Sequence, residues 1–276
     1  MISQYNFNLG IINQKKIIEA LNNNYALDYK DYSMTAFRNR INAVMSINNL
    51  NIDLLISEIE TNPNFKIKFL HDFQIPETEL FRDPSVWRDI TSIFLSKINK
   101  PNYKIWLPDF TTGDEIFTLA IILKELNLTD KVKVFISSNS HTDINEQGFG
   151  IFPEKHFNTD QANYKRYKNE ENACLQTFFN LSNNNYIFDK KLISNFKFTN
   201  KNITESQLPK TDLIIYRNKL IYFNLSYQDK ILKLIYESLL SGGILAIGTK
   251  ETIEYNTIKD YFKPINKQNK IYKKIK

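Results

Sequence analysis

The chain is short of the residues that build disulfide frameworks, metal centres and membrane spans. Its 276 residues include one cysteine, Cys174, so an intramolecular disulfide is excluded. Its three histidines, His71, His141 and His156, share no ligand spacing with one another or with Cys174, which argues against a structural metal. The longest apolar stretch, residues 239–247, is too short to cross a bilayer and is split by two glycines.

The N-terminal residues, MISQYNFNLG, have neither the charged start nor the continuous apolar core of a signal peptide. We therefore expect a cytoplasmic protein without membrane insertion. The formal net charge of +6 is modest, and much of the excess is lysine near the C-terminus, which is typical of a solvated face. A dense basic patch with interleaved aromatic residues is missing, which argues against a nucleic-acid partner.

Residues 104–120 indicate the first strand and helix of an open α/β sheet. Ile105, Trp106 and Leu107 form a short apolar run, and a polar turn follows with the sequence PDFTTG. Apolar residues then recur at helical spacing from Ile116 onward, after two acidic residues that suit a helix N-terminus. Ligands of such sheets bind beyond the carboxyl ends of the strands, above turns of this kind.

The rest of the chain divides around this unit. Helical periodicity predicts an all-helical domain over residues 1–70, where Arg38 and Arg40 are interpreted as solvated or as a ridge for an acidic partner. Residues 71–84 form a proline-bounded linker that carries Thr78 and Arg82, and residues 85–276 form the sheet domain. Further strands are predicted at residues 132–136, 196–198, 212–216, 244–248 and 270–272.

Three details of that sheet domain are also predicted. A helix is expected from about residue 226 to residue 240, followed by a turn at Gly242 and Gly243. Residues 152–195 are long, polar and weakly periodic, and are interpreted as an insertion that covers the sheet edge. The strand at residues 270–272 is expected at an edge of the sheet.

Five separated motifs together resemble the CheR-type methyltransferases, which methylate glutamate side chains of bacterial chemotaxis receptors. They are ETELFRDP at 77–84, TTGDE at 111–115, FGIF at 149–152, YRNKLIYFN at 216–224 and GGILAIGTKE at 242–251. None of them is sufficient alone, but their order and spacing cover almost the whole chain.

The resemblance implies a Rossmann-like methyltransferase sheet after a small helical domain, with S-adenosylmethionine as methyl donor and S-adenosylhomocysteine as product. The implied partner is a methyl-accepting chemotaxis receptor or a similar coiled-coil signalling protein. A carboxylate acceptor is anionic at neutral pH, so the transfer needs alignment and partial desolvation and no general base.

The resemblance also assigns roles to residues. Arg82 and Tyr222 are the implied catalytic residues, Arg82 by positioning the acceptor carboxylate. The implied cofactor-binding residues are Thr78, Arg82, Gly113, Asp114, Ser138, Asn202, Ile203, Asn218 and Lys219. From residue type alone, Arg82 has a second interpretation, as the ion-pair partner of Glu79 or Asp83.

The chain departs from the family at the donor end. Residues 107–110, with the sequence LPDF, replace small residues, and Asp109 either repels the cofactor carboxylate or holds its ammonium group. The acidic residue expected to bind the ribose hydroxyls is Ser138, and the next expected acid is Ser140. A hydrogen bond to a charged group contributes roughly 1.5–3 kcal/mol, so its loss weakens cofactor binding about 10- to 150-fold.

Three hypotheses therefore remain at this point. The first is an active glutamate methyltransferase, and the second is a non-catalytic CheR-like module that docks on signalling partners. The third is a methyltransferase that acts on a small molecule or RNA.

Overall fold

A computed structural model describes residues 9–73, 79–97, 100–110, 113–138, 149–201, 203–204 and 208–276, apart from the side chain of His156. The chain divides into two compact units. One contains residues 1–76 together with residues 219–228, and the other contains residues 77–218 and 229–276. The sequence does not predict the return of residues 219–228 to the first unit. We refer to these as the helical unit and the sheet unit.

In the helical unit, capping residues mark the starts of helices and a left-handed residue marks the end of one. Ser33 accepts a hydrogen bond from the Ala36 amide at the start of α2, and Asn51 accepts one from the Leu54 amide at the start of α3. Asn49 takes a left-handed conformation directly after α2. The helices are α1 (Ile11–Tyr25), α2 (Met34–Asn48), α3 (Ile52–Thr61) and α4 (Phe65–Phe73).

Aromatic rings fill much of the core of the helical unit. Tyr29 contacts Phe37, Phe69 and Phe73, with ring centroids 4.6 Å apart for the last pair. The returning segment joins this unit through its backbone, because the Ser33 amide donates to the Tyr222 carbonyl at 2.9 Å. This contact places the short 3-10 turn Leu220–Tyr222 against the start of α2.

The described part of the sheet unit contains a seven-stranded sheet and a small three-stranded sheet. The large sheet has the strand order β6-β2-β1-β7-β8-β10-β9, and its pairs are parallel except for those that involve β10. Its strands are β1 (Tyr103–Phe110), β2 (Val132–Ser138), β6 (Lys197–Thr199), β7 (Thr211–Tyr216), β8 (Leu239–Ile247), β9 (Phe262–Asn266) and β10 (Ile271–Lys274). The order reverses between β1 and β7, which is where open sheets bind ligands.

Helices and the smaller sheet complete this unit. The apolar residues of α6 are buried along its whole length, from Ile116 to Leu123, as a helix packed on a buried sheet requires. The helices are α5 (Pro84–Lys97), α6 (Asp114–Glu125), α7 (Glu154–Lys168) and α8 (Leu225–Ser238), of which residues 225–228 belong to the helical unit. The small sheet is antiparallel in the order β3-β5-β4, with β3 (Ile151–Pro153), β4 (Phe179–Ser182) and β5 (Asn185–Phe188).

The predicted mixed α/β class with a helical N-terminal region is confirmed, but three local predictions were wrong. The strand at 270–272 is internal, because β9 pairs with β10 from the outside. The turn predicted at Gly242 and Gly243 lies inside strand β8. The helix predicted to reach residue 240 ends at Ser238, because β8 begins at Leu239. Between the pairs Thr211–Leu239 and Leu213–Ile244 the register shifts, so β8 bulges at its glycines, and Gly242 has a φ of 72°.

The segment 152–195, interpreted as a weakly periodic insertion, contains more regular structure than its sequence indicates. It includes β4 and β5 and also α7, whose composition is strongly polar. Buried positions of α7 include Asp160 and Asn163 beside Phe157, Tyr164 and Tyr167. A helix that buries polar side chains gives little hydrophobic periodicity, which is why the sequence pattern concealed it.

Candidate functional site

The candidate site lies in the sheet unit, at the carboxyl edge of the strands on either side of the β1–β7 switch point. Phe110 ends β1 and Ser138 ends β2, while Asn218 is the second residue after β7 and Gly248 is the first after β8. The segment 79–83 enters the same region, because Asp83 is bonded to Arg217 at the end of β7. The fold therefore brings together most of the described site residues that the sequence predicted in this unit.

The segment before α5 is fixed to its surroundings by its backbone. The Leu80 amide donates to Asp160 Oδ1 at 2.9 Å, and the Phe81 amide donates to Thr118 Oγ1 at 3.0 Å. Asn163 Nδ2 donates to Glu79 Oε2 at 2.9 Å and to the Leu80 carbonyl at 3.1 Å. The polar residues of α7 therefore hold the stretch that leads to Arg82.

Arg82 is half-buried, and among the described residues its guanidinium has no hydrogen-bond or ion-pair partner. Glu79, one proposed partner, instead accepts from Asn163. Asp83, the other, pairs with Arg217 at 2.7 Å. The interpretation of Arg82 as a simple ion-pair partner of these two residues is therefore wrong, and its positive charge is available at the site.

Gly113 and Asp114 form the start of α6. Gly113 has a φ of 91°, a left-handed conformation that favours glycine, and it is the N-terminal cap of the helix. An added Cβ at Gly113 would lie 2.8 Å from the Phe149 ring, so the ring packs directly against this glycine. Asp114 is buried in the first turn, where the helix dipole favours a negative charge.

Asp109 bridges the ends of several strands at the donor end. Its Oδ1 accepts from the Ile203 amide at 2.9 Å, and its Oδ2 accepts from the Tyr216 hydroxyl at 3.4 Å. Asp109 has a φ of 51°, in the left-handed region that glycine adopts freely and that aspartate and asparagine adopt occasionally. The Ile203 amide, which the resemblance allots to the cofactor, thus already has an acceptor inside the protein.

Ser138 and Asn218 also make internal bonds. Ser138 is buried, and its hydroxyl donates to Asn200 Oδ1 at 3.1 Å. Asn218 has a φ of 58°, and its amide donates to Glu251 Oε2 at 3.0 Å. Glu251 also accepts from the Gly248 amide, so a single buried carboxylate joins the ends of β7 and β8.

The remaining predicted residues belong to the helical unit or lie outside the described residues. Lys219 and Tyr222 belong to the helical unit, so the predicted place of Tyr222 next to the reacting groups stays a prediction. Within its own unit, Tyr222 is an electrostatic neighbour of Tyr32, whose pKa burial raises to about 12, with Tyr222 adding to the rise and Arg40 opposing it. Thr78 and Asn202 lie outside the described residues.

Sequence reasoning missed Arg217, the best-buried charge of the site. Its side chain is 0% exposed, and it contacts Asp83 and Glu115. In the sequence it is one residue of the motif YRNKLIYFN, with nothing to separate it from a solvated arginine at a strand end. Its role depends on segments about 100 residues apart in the chain, which no local pattern reveals.

Comparison with known families decides the classification. The family profile described as "CheR methyltransferase, SAM binding domain" matches residues 76–271. The chain belongs to the CheR methyltransferase family. The predicted resemblance is thereby confirmed.

Curated CheR-type relatives match the chain along nearly its full length. Cher3 of Pseudomonas putida, named as an inferred methyltransferase, is 27% identical over 99% of this chain and 100% of its own. A protein of Borreliella burgdorferi named "Chemotaxis protein methyltransferase" is 22% identical over 95% of this chain and 96% of its own. The solved O-methyltransferase NovP aligns with 71% of this chain and 80% of its own at 10% identity, with a TM-score of 0.38, which is too low to carry an argument.

The residues of this CheR chain fit the charge of S-adenosylmethionine better than they fit its nucleoside. Asp109 and Asp114 supply carboxylates near the end of β1, which suits a ligand that carries a sulfonium and an ammonium group. Ser138, which the resemblance places where an acid would bind the ribose, donates its hydroxyl to Asn200, and Asp109 accepts from the Ile203 amide. A nucleoside that used these two groups would have to replace both internal bonds.

Proposed function

We propose that this CheR-family chain transfers a methyl group from S-adenosylmethionine to glutamate side-chain carboxylates of a chemotaxis receptor or a similar coiled-coil signalling protein. The observation that carries the proposal is the guanidinium of Arg82, which has no partner among the residues that the structure describes and is held on a fixed backbone at the carboxyl edge of the sheet. The names of several relatives, among them the Borreliella burgdorferi protein, support the chemotaxis assignment.

The chemistry asks little of the protein beyond binding and alignment. S-adenosylmethionine, when bound, supplies an electrophilic methyl group. Arg82 binds the acceptor carboxylate through its planar fork of N–H donors, which matches two carboxylate oxygens, and fixes the direction of the attacking oxygen. Since glutamate is already ionised at neutral pH, no residue of the chain has to remove a proton. Alignment of this kind can account for several kcal/mol of a transfer barrier.

At the donor end, the cofactor is proposed to be held by Gly113, Asp114, Ser138 and Ile203. The carboxylate of Asp114 offsets its positive charge. The Ser138 hydroxyl and the Ile203 amide face the nucleoside in this proposal. Asn218, Lys219, Thr78 and Asn202 remain proposed cofactor residues by resemblance to the family, and Tyr222 remains a proposed catalytic residue.

The test is a transfer assay with methyl-labelled S-adenosylmethionine and purified cytoplasmic fragments of chemoreceptors. We expect label on the fragment that is released as volatile methanol in mild alkali, because carboxyl methyl esters hydrolyse there while N-methyl groups do not. A fragment with its candidate glutamates replaced by glutamine is the matched control. Alkali-stable label on the fragment, or label on RNA or a small molecule alone, would contradict the glutamate proposal.

A second candidate function is a non-catalytic CheR-like module that binds signalling partners. The bond between Asp109 and the Ile203 amide favours it, because it occupies a group that the cofactor would use. This function predicts that S-adenosylhomocysteine gives no heat in calorimetry at millimolar concentration. Any turnover by the unaltered protein excludes it.

A further inference from the structure

Arg217 lies at the centre of a buried charge cluster beneath the segment that carries Arg82. Its Nη2 donates to Asp83 Oδ2 at 2.7 Å and to the Arg82 carbonyl at 3.2 Å, and its Nη1 donates to Glu115 Oε1 at 3.3 Å. Its Cζ lies 5.5 Å from the centre of the Trp87 ring. One buried cation thus holds two carboxylates from different segments and one backbone carbonyl.

Such a cluster is a weak source of stability. Taking an arginine and its partners out of water costs several kcal/mol per ion, and well-packed apolar replacements of whole clusters are often as stable. A fully buried arginine of this kind therefore suggests a role other than stability, although that role has to be shown for each protein. The geometry around Arg82 indicates what the role is here.

The backbone on both sides of Arg82 is held in an unfavourable conformation. Phe81 has a φ of 53° and Asp83 has a φ of 55°, and neither is glycine. Conformations of this kind cost on the order of 1–3 kcal/mol each and persist only where the surroundings fix them. Phe81 is fixed by its buried ring, with centroids 5.0 Å from Tyr164 and 4.8 Å from Tyr167. Asp83 is fixed by Arg217.

The charge balance of the segment depends on Arg217. Asp83 is adjacent to Arg82 in the chain and would be a ready ion-pair partner for it. Instead, its carboxylate binds Arg217 and also accepts from Thr249 Oγ1 at 3.4 Å. Arg217 therefore binds the carboxylate that is adjacent to Arg82 in the chain, and the Arg82 guanidinium is left without a partner among the described residues.

We infer that Arg217 is a positioning residue: by binding Asp83 and the Arg82 carbonyl, it keeps the Arg82 guanidinium free to bind the acceptor carboxylate. This inference rests on the proposed function of Arg82, but its physical part can be measured without any transfer. If it holds, weakening the bonds of Arg217 lets the Asp83 carboxylate pair with Arg82. Removing that carboxylate as well makes the Arg82 guanidinium accessible again.

The test uses Arg217→Lys alone and together with Asp83→Asn. Lysine keeps the charge but loses the planar fork that reaches several acceptors at once. Arg82 accessibility is read by phenylglyoxal modification followed by peptide mass spectrometry, with Arg88 as the internal reference. We expect R217K to slow modification of Arg82 about tenfold and R217K/D83N to restore it, with Arg88 unchanged in both.

The transfer assay gives the second readout. R217K should raise the KM for the receptor fragment about tenfold with a smaller change in kcat, and D83N in that background should reverse most of the rise. In an Arg82→Ala background, R217K should have no further effect on KM. If the pair of Arg217 and Asp83 has only a structural role, R217K should destabilise the protein and D83N should not reverse the rise in KM. R217K should then change KM equally in the presence and absence of Arg82.

The outcomes separate the two proposals. Lack of transfer by the unaltered protein defeats the proposed function, while modification of Arg82 still tests the inference. Equal modification of Arg82 in the unaltered protein and R217K would overturn the inference even if transfer is normal. Should R217K fail to fold, Arg217→Met is tested alone and in a triple variant with D83N and Glu115→Gln. The two added substitutions remove the carboxylates that Arg217 would otherwise leave without a partner. The inference then requires faster modification of Arg82 in the triple variant than in Arg217→Met alone.

Discussion

The two ends of the candidate site differ in where their hydrogen-bonding groups are directed. At the proposed acceptor end, around Arg82, the carboxylates of Asp83 and Glu79 are bound by Arg217 and Asn163. The Arg82 guanidinium has no partner there among the described residues. At the donor end, the groups that would bind a nucleoside are bonded to one another, Asp109 to the Ile203 amide and Ser138 to Asn200. The charge of Arg82 can bind a ligand directly, whereas the groups at the donor end must first break their internal hydrogen bonds.

Under the proposed function, this difference predicts strong binding of the acceptor carboxylate and weak binding of the methyl donor. Exchange of an internal hydrogen bond for a ligand bond yields little net free energy, because the lost and gained bonds nearly cancel. Changes at the acceptor end should therefore remove activity, and changes at the donor end should improve cofactor binding.

The largest expected effect is at Arg82. We expect Arg82→Ala to lower kcat/KM for methyl transfer by about 100-fold or more, because the acceptor carboxylate loses a charge-assisted pair that also aligns it. The thermal midpoint should stay close to that of the unaltered protein, since the guanidinium has no described partner. Arg88→Ala, six residues along in the same unit, is the matched control and should retain transfer.

The next effect is at Ser138. Ser138→Asp should tighten S-adenosylhomocysteine binding about 10- to 100-fold in calorimetry, because a carboxylate at the end of β2 accepts hydrogen bonds from ribose hydroxyls. Ser138→Ala removes the bond to Asn200 without adding an acid and should give no such gain. Equal affinities of the aspartate and alanine variants would show that this residue does not face the ribose.

A smaller gain is expected at Asp109. Asp109→Gly removes the carboxylate from the Ile203 amide and suits a φ of 51°, so binding of S-adenosylhomocysteine should tighten about tenfold. Asp109→Asn keeps an acceptor for the amide and is the control. A weaker affinity of the glycine variant would instead support the alternative that Asp109 holds the cofactor ammonium group.

The smallest effect concerns the glycine at the start of α6, between the two ends. Gly113→Ala should lower the free energy of unfolding by about 1 kcal/mol, from its left-handed φ and from the shift it forces on the Phe149 ring. Gly10→Ala is the matched control, because its added Cβ meets no atom within 4 Å. Denaturant unfolding of the two variants checks the difference, and equal losses would contradict it.

Much of the fold could be predicted where apolar residues repeat at a clear spacing. Strand β1 and helix α6 were predictable because Ile105 to Leu107 and Ile116 to Leu126 are almost all apolar. Helix α7 was not, because its buried side includes Asp160 and Asn163. Strand β9, at the edge of the sheet, was also missed. Its sequence exposes both a lysine and an isoleucine, and such a sequence is hard to tell from that of a loop.

The site could be predicted only as far as the family motifs reach. They suggest roles for Arg82, Gly113 and Asn218 by position, but they carry no information on pairing. Asp83 in the sequence is as good a partner for Arg82 as for Arg217, and only the fold assigns it to Arg217. In the same way, the bond from Asp109 to the Ile203 amide joins residues 94 positions apart in the chain.

The most direct test of the account is titration calorimetry of the unaltered protein with S-adenosylhomocysteine, alongside Ser138→Asp. The account predicts one site per chain in the unaltered protein, with an affinity at least about tenfold weaker than in the aspartate variant. Absence of heat from the unaltered protein at millimolar ligand would contradict it, because a chain that cannot bind the product of the donor cannot be the proposed methyltransferase.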